Sequence, residues 1–389
     1  MAKVFVTDAE QGRIPLNVTR SLGAKKIKVF NGGYLNAAPV YFSRYSSKKV
    51  IYPNISDKPK KFKEFIFKYI KENKFDVVFP VMNENVLFFS KHKKELSKYT
   101  AVPLVDYKTM IRAMDKGKIM RFAEKIGIPH PKTYYPRKIS ELDIVVENLN
   151  FPVIVKAKRS SGSRGVKICS SFSELKKTFA DISKSYGKPI VQEYIPQEGD
   201  AIGVSCLFGY DHKEKAVFTH KRIRQYPIKG GPSTLRQSIR HPTAEKIAIK
   251  LLRKLKWFGL AMVEFKVDPR DGKPKLIEIN PRFWGSLALP IAAGVNFPYL
   301  LYNLAVKKKI KPIKNYKLDV KSRWLAGDFL YFLSMKHKLK FLPKFLNFFE
   351  KNTYYDEFMY KDFMPLFGRF LSLFYVFDKK LTKKVIRDI

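Results

Sequence analysis

The densest polar chemistry in this sequence sits on two short apolar stretches. Glu264 interrupts AMVEFKV, and Glu278, Asn280 and Arg282 occupy alternate positions of LIEINPR. A spacing of two places side chains on one face of a strand. Two carboxylates and an amide oxygen make a hard, oxygen-rich set, of the kind that holds Mg2+ while nucleotide phosphates complete the coordination. Arg282 adds a planar fork for a phosphate or a carboxylate. Polar residues alternating on an exposed strand would explain one carboxylate but not the run Glu-Ile-Asn-Pro-Arg. Farther upstream, the apolar strand Val153 to Val155 ends at Lys156 and opens into Arg159-Ser160-Ser161-Gly162-Ser163-Arg164-Gly165. Small residues in such a loop let backbone N–H groups close over an anion, and Lys156 would meet that anion as a point charge. No GKS or GKT follows and the next element is a strand, so this is not a P-loop; a plain hairpin turn fits the same residues. A third segment, His220 to Thr234, gathers Lys221, Arg222 and Arg224 before bending at Gly230-Gly231. Its cations suit a carboxylate or an acyl phosphate, and it also fits a solvated basic hairpin with a glycine turn.

The elements that must position these groups follow from hydrophobic periodicity. Val4 to Val6, Ile27 to Phe30 and Asp76 to Val81 are short buried strands, and Asn17 to Leu22 and Lys63 to Lys71 read as helices between them. That order predicts a small parallel βαβ sheet. Ligands of such sheets sit beyond the carboxyl ends of the strands, which points to the loops 7–13, 31–33 and 82–84. No GxGxxG fingerprint is present, so a Rossmann dinucleotide site is not indicated. From Asp106 to about Lys307 the pattern becomes α+β with mostly antiparallel strands. A helix begins near Asp115-Lys116 and is broken by Gly127, Pro129 and Pro131; strands follow at 189–195, 201–209, 216–223, 261–268 and 275–281. After about Lys311 the chain reads as helical, basic and aromatic.

Lys116, Lys156 with its glycine loop, QEYI, Glu264 and EINPR, in this order and spacing, resemble the ATP-grasp superfamily. The resemblance is to carbamoyl phosphate synthase and biotin carboxylase and, among ligases, to the D-aspartate ligase-like carboxylate–amine ligases. It covers roughly Asp106 to Lys307. It implies a pre-ATP-grasp βαβ domain over 1–105, an ATP-grasp domain of two α+β subdomains clasping ATP over 106–310 with its lid at about 120–195, and a mainly helical extension over 311–389. It further implies that Lys116 and Lys156 bind ATP phosphates under a lid formed by Ser161, Gly162, Ser163 and Gly165. Glu193, Tyr194 and Ile195 would form the hinge facing adenine, and Asp200 would approach the ribose. Glu264, Glu278 and Asn280 match the ligands of Mg2+, for which Mn2+ can substitute. Arg282 matches the arginine that steadies the transferred phosphoryl group, while Arg222, Arg224, Gly231 and Ser233 stand on the substrate side. Two departures from the pattern are Ala157, where a proline often follows the strand lysine, and Ser160, where many members carry glycine. The implied activity is ATP-dependent amide formation from a carboxylate and an amine through an acyl phosphate. A bicarbonate-using carboxylase or a carbamoyl phosphate synthase-like enzyme is the alternative, although neither an MKM biotin-carrier motif nor a glutamine amidotransferase segment is found.

Composition bounds the remaining choices. The 389 residues carry 76 Lys+Arg against 34 Asp+Glu, a formal net charge of +42, with 45% hydrophobic residues. That apolar content excludes disorder throughout. Cys169 and Cys206 are the two cysteines, too few for a disulfide scaffold or a cysteine-rich zinc site, and the six histidines show no ligand spacing. The start MAKVFVTDAE lacks a signal-like apolar region, and Phe363 to Phe377 falls short of the ~20 residues of a membrane span. A cytoplasmic enzyme is expected. The charge admits nucleic acid, an anionic membrane surface or an anionic small substrate as partner. Residues 301–389 hold 20 Lys+Arg, 8 Asp+Glu and 20 of the chain's 56 aromatics. Their rings either pack on the enzyme body or face anionic lipid at the inner membrane surface, where they would meet a lipid-linked substrate. No RNP-type aromatic strand is found, so a specific nucleic acid is not expected. A basic RNA- or membrane-surface-binding protein without catalysis is the remaining alternative, and a homodimer is an expectation from the resemblance alone.

Overall fold

The computed structural model describes residues 1–377 except Ser161, Ser163 and Lys229, with side chains as far as Ser372. Three sheets organise the chain. The first contains β1 (Lys3–Val6), β2 (Lys28–Gly33), β3 (Ser46–Ile51) and β4 (Val77–Phe79), all parallel in the order β3-β2-β1-β4. Val4, Phe5 and Val6 are fully buried, as the continuous apolar run of a central parallel strand requires. Helices Arg13–Gly23 and Pro59–Asn73 cover the sheet. β2 ends in Gly32-Gly33, where a Cβ on Gly33 would stand 2.5 Å from a Glu10 carboxylate oxygen.

The second sheet is small, with β5 (Thr133–Tyr134), β6 (Val153–Lys156), β7 (Val166–Cys169) and β8 (Ile190–Glu193) in the order β5-β8-β6-β7. It has its own core of Val153, Val155, Leu175, Phe179 and Val191, because helix Phe172–Tyr186 lays an apolar stripe on it. The third sheet has seven strands: β9 (Ala201–Phe208), β10 (Glu214–Gln225), β11 (Ser233–Ile239), β12 (Gly259–Val267), β13 (Pro274–Asn280), β14 (Lys321–Arg323) and β15 (Thr353–Tyr355), ordered β13-β12-β9-β10-β11-β14-β15. Its core merges with that of the first sheet into one apolar cluster.

Beyond Lys311 the chain is helical, with helices Leu325–Ser334, Lys338–Leu346 and Met364–Phe377. It also contributes β14 and β15, which run parallel and extend the large sheet. Three buried carboxylates tie this segment down. Asp356 pairs with Arg13 and Arg236, Asp362 with Arg20, and Asp328 with Arg224 and Arg323. Among the described residues, no helix is long and apolar enough to cross a membrane.

Candidate active site

The site is assembled from the ends of strands belonging to all three sheets. In the large sheet, the antiparallel register of β12 and β13 sets Glu264 opposite Glu278 and Met262 opposite Asn280, with a bulge between Glu264 and Phe265. The neighbouring strand puts Gly203 beside Glu264. Like charges held side by side off water are costly, and their partners show how the cost is met. Lys116 Nζ lies 2.9 Å from a Glu278 oxygen, the guanidinium of Arg222 bonds Glu264, and Asn280 Nδ2 donates to Glu264 at 2.9 Å and more weakly to Glu278 at 3.4 Å.

Lys116 is held there by local sequence. The Asp115 carboxylate caps helix Lys116–Lys125 by accepting from the Lys118 amide at 3.0 Å, which fixes Lys116 in the first turn. The Lys116 amide donates to Lys158 O at 2.9 Å and its ammonium to Ser160 O at 3.0 Å, so the lysine joins the glycine loop to the carboxylate pair. Arg159 closes the same corner on Asp115 at 3.4 Å. In the loop itself, Gly162 and Gly165 adopt φ of 63° and 62°, a region that favours glycine, and Gly165 O accepts from Ala157 N at 2.7 Å. Ser161 and Ser163 lie outside the described residues.

Electrostatics mark this cluster as unusual. Burial and the neighbouring Lys116 bring the Lys156 ammonium down to about 8, against the pull of Glu278 and Glu264. Burial, reinforced by Glu278, raises Glu264 despite Arg222. Burial alone would raise Glu278, but Lys116, Arg222 and Lys156 together hold it below the ordinary glutamate range. Strongly perturbed groups packed in one cleft are a signature of functional sites.

A cavity of about 460 Å3 opens on this cluster. One wall holds Lys116, Arg159, Ser160, Gly162, Arg164, Glu278, Asn280 and Arg282. The other comes from the loops beyond the first sheet and includes Asp8, Glu10, Gln11, Met82, Asn83 and Glu84, in two of the three loops that strand topology singled out. Arg282 joins the walls: its Nε donates to Asn83 Oδ1 at 2.7 Å and its Nη1 to Phe283 O at 2.8 Å. Asp8 lies in the first of these loops, although no role of its own was expected for it from sequence. It is buried at a left-handed φ of 63°, accepts from the Val81 and Met82 amides at 3.0 Å and from Asn85 at 2.6 Å, and its charge acts on Arg282. Its position at the carboxyl end of β1 is the sequence signal that would have found it.

The remaining expected residues divide. Arg222 belongs to the cluster, and its Nη1 also donates to Gly231 O at 3.3 Å. Gly231 is tightly confined, since a Cβ there would lie 2.2 Å from Tyr226 O, and Ser233 is buried with its carbonyl accepting from Arg236 at 3.2 Å. Arg224 is not among the residues lining the cavity: it makes two bonds to Asp328, at 2.6 and 2.7 Å, and so ties down the C-terminal segment. The hairpin reading of this segment fits β10 and β11, although its arginines are largely buried. Glu193, Tyr194 and Ile195 link β8 to the stretch before β9. The Glu193 side chain points to Arg270, Lys275 and the Lys132 amide, and its own amide donates to Lys132 O at 3.0 Å. Asp200 is exposed at the entrance to β9. His220 is structural: its ring packs over Gly203, contacts Ser286 Oγ at 3.3 Å, and burial drives its imidazole down to about 3. Cys169 and Cys206 are both free and buried.

The donor set fits Mg2+ in kind. Among the described residues no three His, Cys, Asp or Glu side chains converge on a metal position, so the protein would give two carboxylates and one amide oxygen and leave the other positions to phosphates and water. The buried repulsion between Glu264 and Glu278 is the observation that a cation would relieve.

Residues 113–286 match the family model of the ATP-grasp domain. This stretch, 174 of the 389 residues, is similar to the ATP-grasp domain. It is 29% identical over 228 residues to a D-aspartate ligase of Enterococcus faecium, covering 53% of this chain and 53% of that protein. It is 26% identical over 272 residues to the carbamoyl phosphate synthase large chain of Pyrococcus furiosus, covering 65% of this chain and 25% of that one. Thus the chain spans about half the length of the first relative and a quarter of the second. Among solved structures, the biotin carboxylase domain dimer of Hydrogenobacter thermophilus 2-oxoglutarate carboxylase, in complex with MgADP, ADP and bicarbonate, superimposes with a TM-score of 0.67 at 16% identity, covering 82% of this chain and 73% of that one. The fold is the ATP-grasp fold with a parallel sheet in front and a helical C-terminal segment.

Proposed function

We propose that this chain is an ATP- and Mg2+-dependent ligase that joins a carboxylate to an amine through an acyl phosphate. The observation that carries the reading is a cavity lined by Lys116, Glu278, Asn280 and Arg282, with Lys156 and Glu264 coupled by charge to that lining, opposite a wall from the first sheet that can hold a second substrate. Lys116 and Lys156 meet phosphate oxygens, the glycine loop from Ser161 to Gly165 closes over them, and the Glu193–Ile195 backbone faces adenine with Asp200 toward the ribose. Glu264, Glu278 and Asn280 hold Mg2+, which when bound neutralises charge on the triphosphate. Arg282 and Arg222 steady the phosphoryl group in transfer, and Gly231 and Ser233 border the substrate. A carboxylate oxygen of the substrate attacks the γ-phosphorus and ADP leaves; the amine nitrogen then attacks the acyl carbon, phosphate leaves, and the nitrogen loses its proton. No enzyme nucleophile is required, and the catalytic contribution is positioning and charge neutralisation. The domain limits 1–105, 106–310 and 311–389 suit this division of labour. Such an ATP consumer belongs in the cytoplasm, and a homodimer finds support in the dimer named for the Hydrogenobacter relative.

A second reading has bicarbonate as the activated carboxylate, supported by the bicarbonate in that same complex. ADP release from Mg-ATP with pooled carboxylates and amines, followed by mass spectrometry of products, tests both. Amine-dependent ADP release with an amide product is expected; bicarbonate-dependent release without any amine would select the second reading. The variant Glu278→Gln is expected to lose at least about 100-fold in turnover while remaining folded, and retained turnover would overturn the assignment of the metal site.

A further inference from the structure

The C-terminal segment reverses the usual pattern of a surface helix. In Leu325–Ser334 the buried residues are Gly327 and Asp328. Leu325, Phe329 and Leu333, at four-residue spacing, are 36, 50 and 45% exposed. Side chains four apart share one helix face, so a carboxylate looks inward and an apolar stripe looks out. Helix Lys338–Leu346 buries no residue. Leu339, Phe349 and Tyr360 are 84, 98 and 85% exposed. Among the described residues 28 large hydrophobic side chains are exposed, and 17 of them fall within residues 325–370; a concentration of this kind marks a contact surface where single scattered residues would not.

The charge on this surface has one sign. Residues 325–370 contain five acids, and every one is engaged: Asp328, Asp356 and Asp362 are buried against arginines, Glu357 pairs with Arg369, and Glu350 with Lys321. Lys336, Lys338, Lys340, Lys344, Lys351 and Lys361 are exposed among the rings. Interface cores between proteins are depleted in lysine, whereas a bilayer boundary takes rings at the acyl edge and lysines at the phosphates together.

We propose that residues 325–370 are a docking surface for a membrane rich in anionic phospholipid, lying on it without spanning it. The surface is separate from the candidate cleft, so the inference stands or falls independently of the ligase reading. It also assigns part of the +42 that nucleotide chemistry leaves over.

Flotation of the full chain with phosphatidylcholine vesicles, with and without phosphatidylglycerol, tests it. Retention on the anionic vesicles is expected to exceed that on neutral ones at least about tenfold and to fall with added salt. The triple variant Leu339→Ser, Phe349→Ser, Tyr360→Ser, and separately Lys338→Glu, Lys340→Glu, Lys344→Glu, should each lose at least about tenfold in vesicle retention, with unchanged thermal unfolding and unchanged ATP turnover in solution. Equal retention on both vesicle types, or none on either, would overturn the proposal. So would self-association in sedimentation velocity that the serine variant abolishes, because the surface would then join two copies, or an acidic protein ligand that outcompetes the vesicles.

Discussion

Arg222 and Arg224 leave the same strand two residues apart and finish in two different kinds of charge cluster. Arg222 reaches Glu264 at the edge of the cleft, where Lys116, Lys156 and Glu278 also meet and where burial and like charges displace the titration of several groups. Arg224 makes a two-bond fork with Asp328, which is fully buried, shared with Arg323 and bonded by Thr234 at 3.0 Å. A break in register between the two arginines, with Ile223 41% exposed, lets one strand serve both. The first cluster opens on a cavity and keeps its carboxylates crowded; the second is closed and pairs its donors with acceptors by short, planar geometry. Similar charged groups therefore separate into a candidate site, partly exposed beside a cavity, and a structural clamp whose carboxylate is fully buried.

The comparison breaks most severely at Asp328. Asp328→Ala would strand Arg224 and Arg323 without their counter-charge, and removal of one member of a buried pair costs about 3–5 kcal/mol. Urea denaturation should show that loss, with Asp328→Asn falling between the two because it keeps an acceptor but not the charge. A loss below about 1 kcal/mol would mean that the C-terminal segment is not held by this clamp. The next effect separates the two arginines directly. Arg222→Ala is expected to lower ATP turnover about tenfold or more, and Arg224→Ala to lower stability by about 1–3 kcal/mol with turnover largely kept. If the two variants lost turnover equally, the division between site and clamp would fail.

What the sequence made legible follows range of interaction. Glu278, Asn280 and Arg282 could be read because a period of two is local, whereas Lys116 was singled out only by the order of motifs in the family resemblance. The pairing of Glu264 with Glu278 needs the register of two strands, yet the motif order already implied it. Arg224 could not be separated from Arg222, because its partner Asp328 lies 104 residues away. β3 was missed because SSKKVI is an edge strand carrying lysines, where exposure removes the apolar alternation. β14 and β15 have three residues each, too few for a period to show. The aromatic tail could be read either as packing or as surface, since hydrophobic content does not reveal which side of a helix faces water once the inward side is a salt bridge.

The smallest expected effect concerns the linker between the small second sheet and the seven-stranded one. Glu193 stands in the proposed adenine hinge, but its carboxylate is spent on Arg270, Lys275 and the Lys132 amide, and Arg270 is half exposed. Ion pairs of that exposure contribute about 0.2–1 kcal/mol. If the hinge meets the nucleotide through backbone alone, Glu193→Gln should leave both turnover and the KM for ATP within about twofold while costing no more than that small stability. Isothermal titration with ADP and steady-state kinetics measure it. A tenfold rise in KM with stability intact would show that the carboxylate itself reaches the nucleotide, and would move Glu193 from the clamp side of the comparison to the side of Arg222.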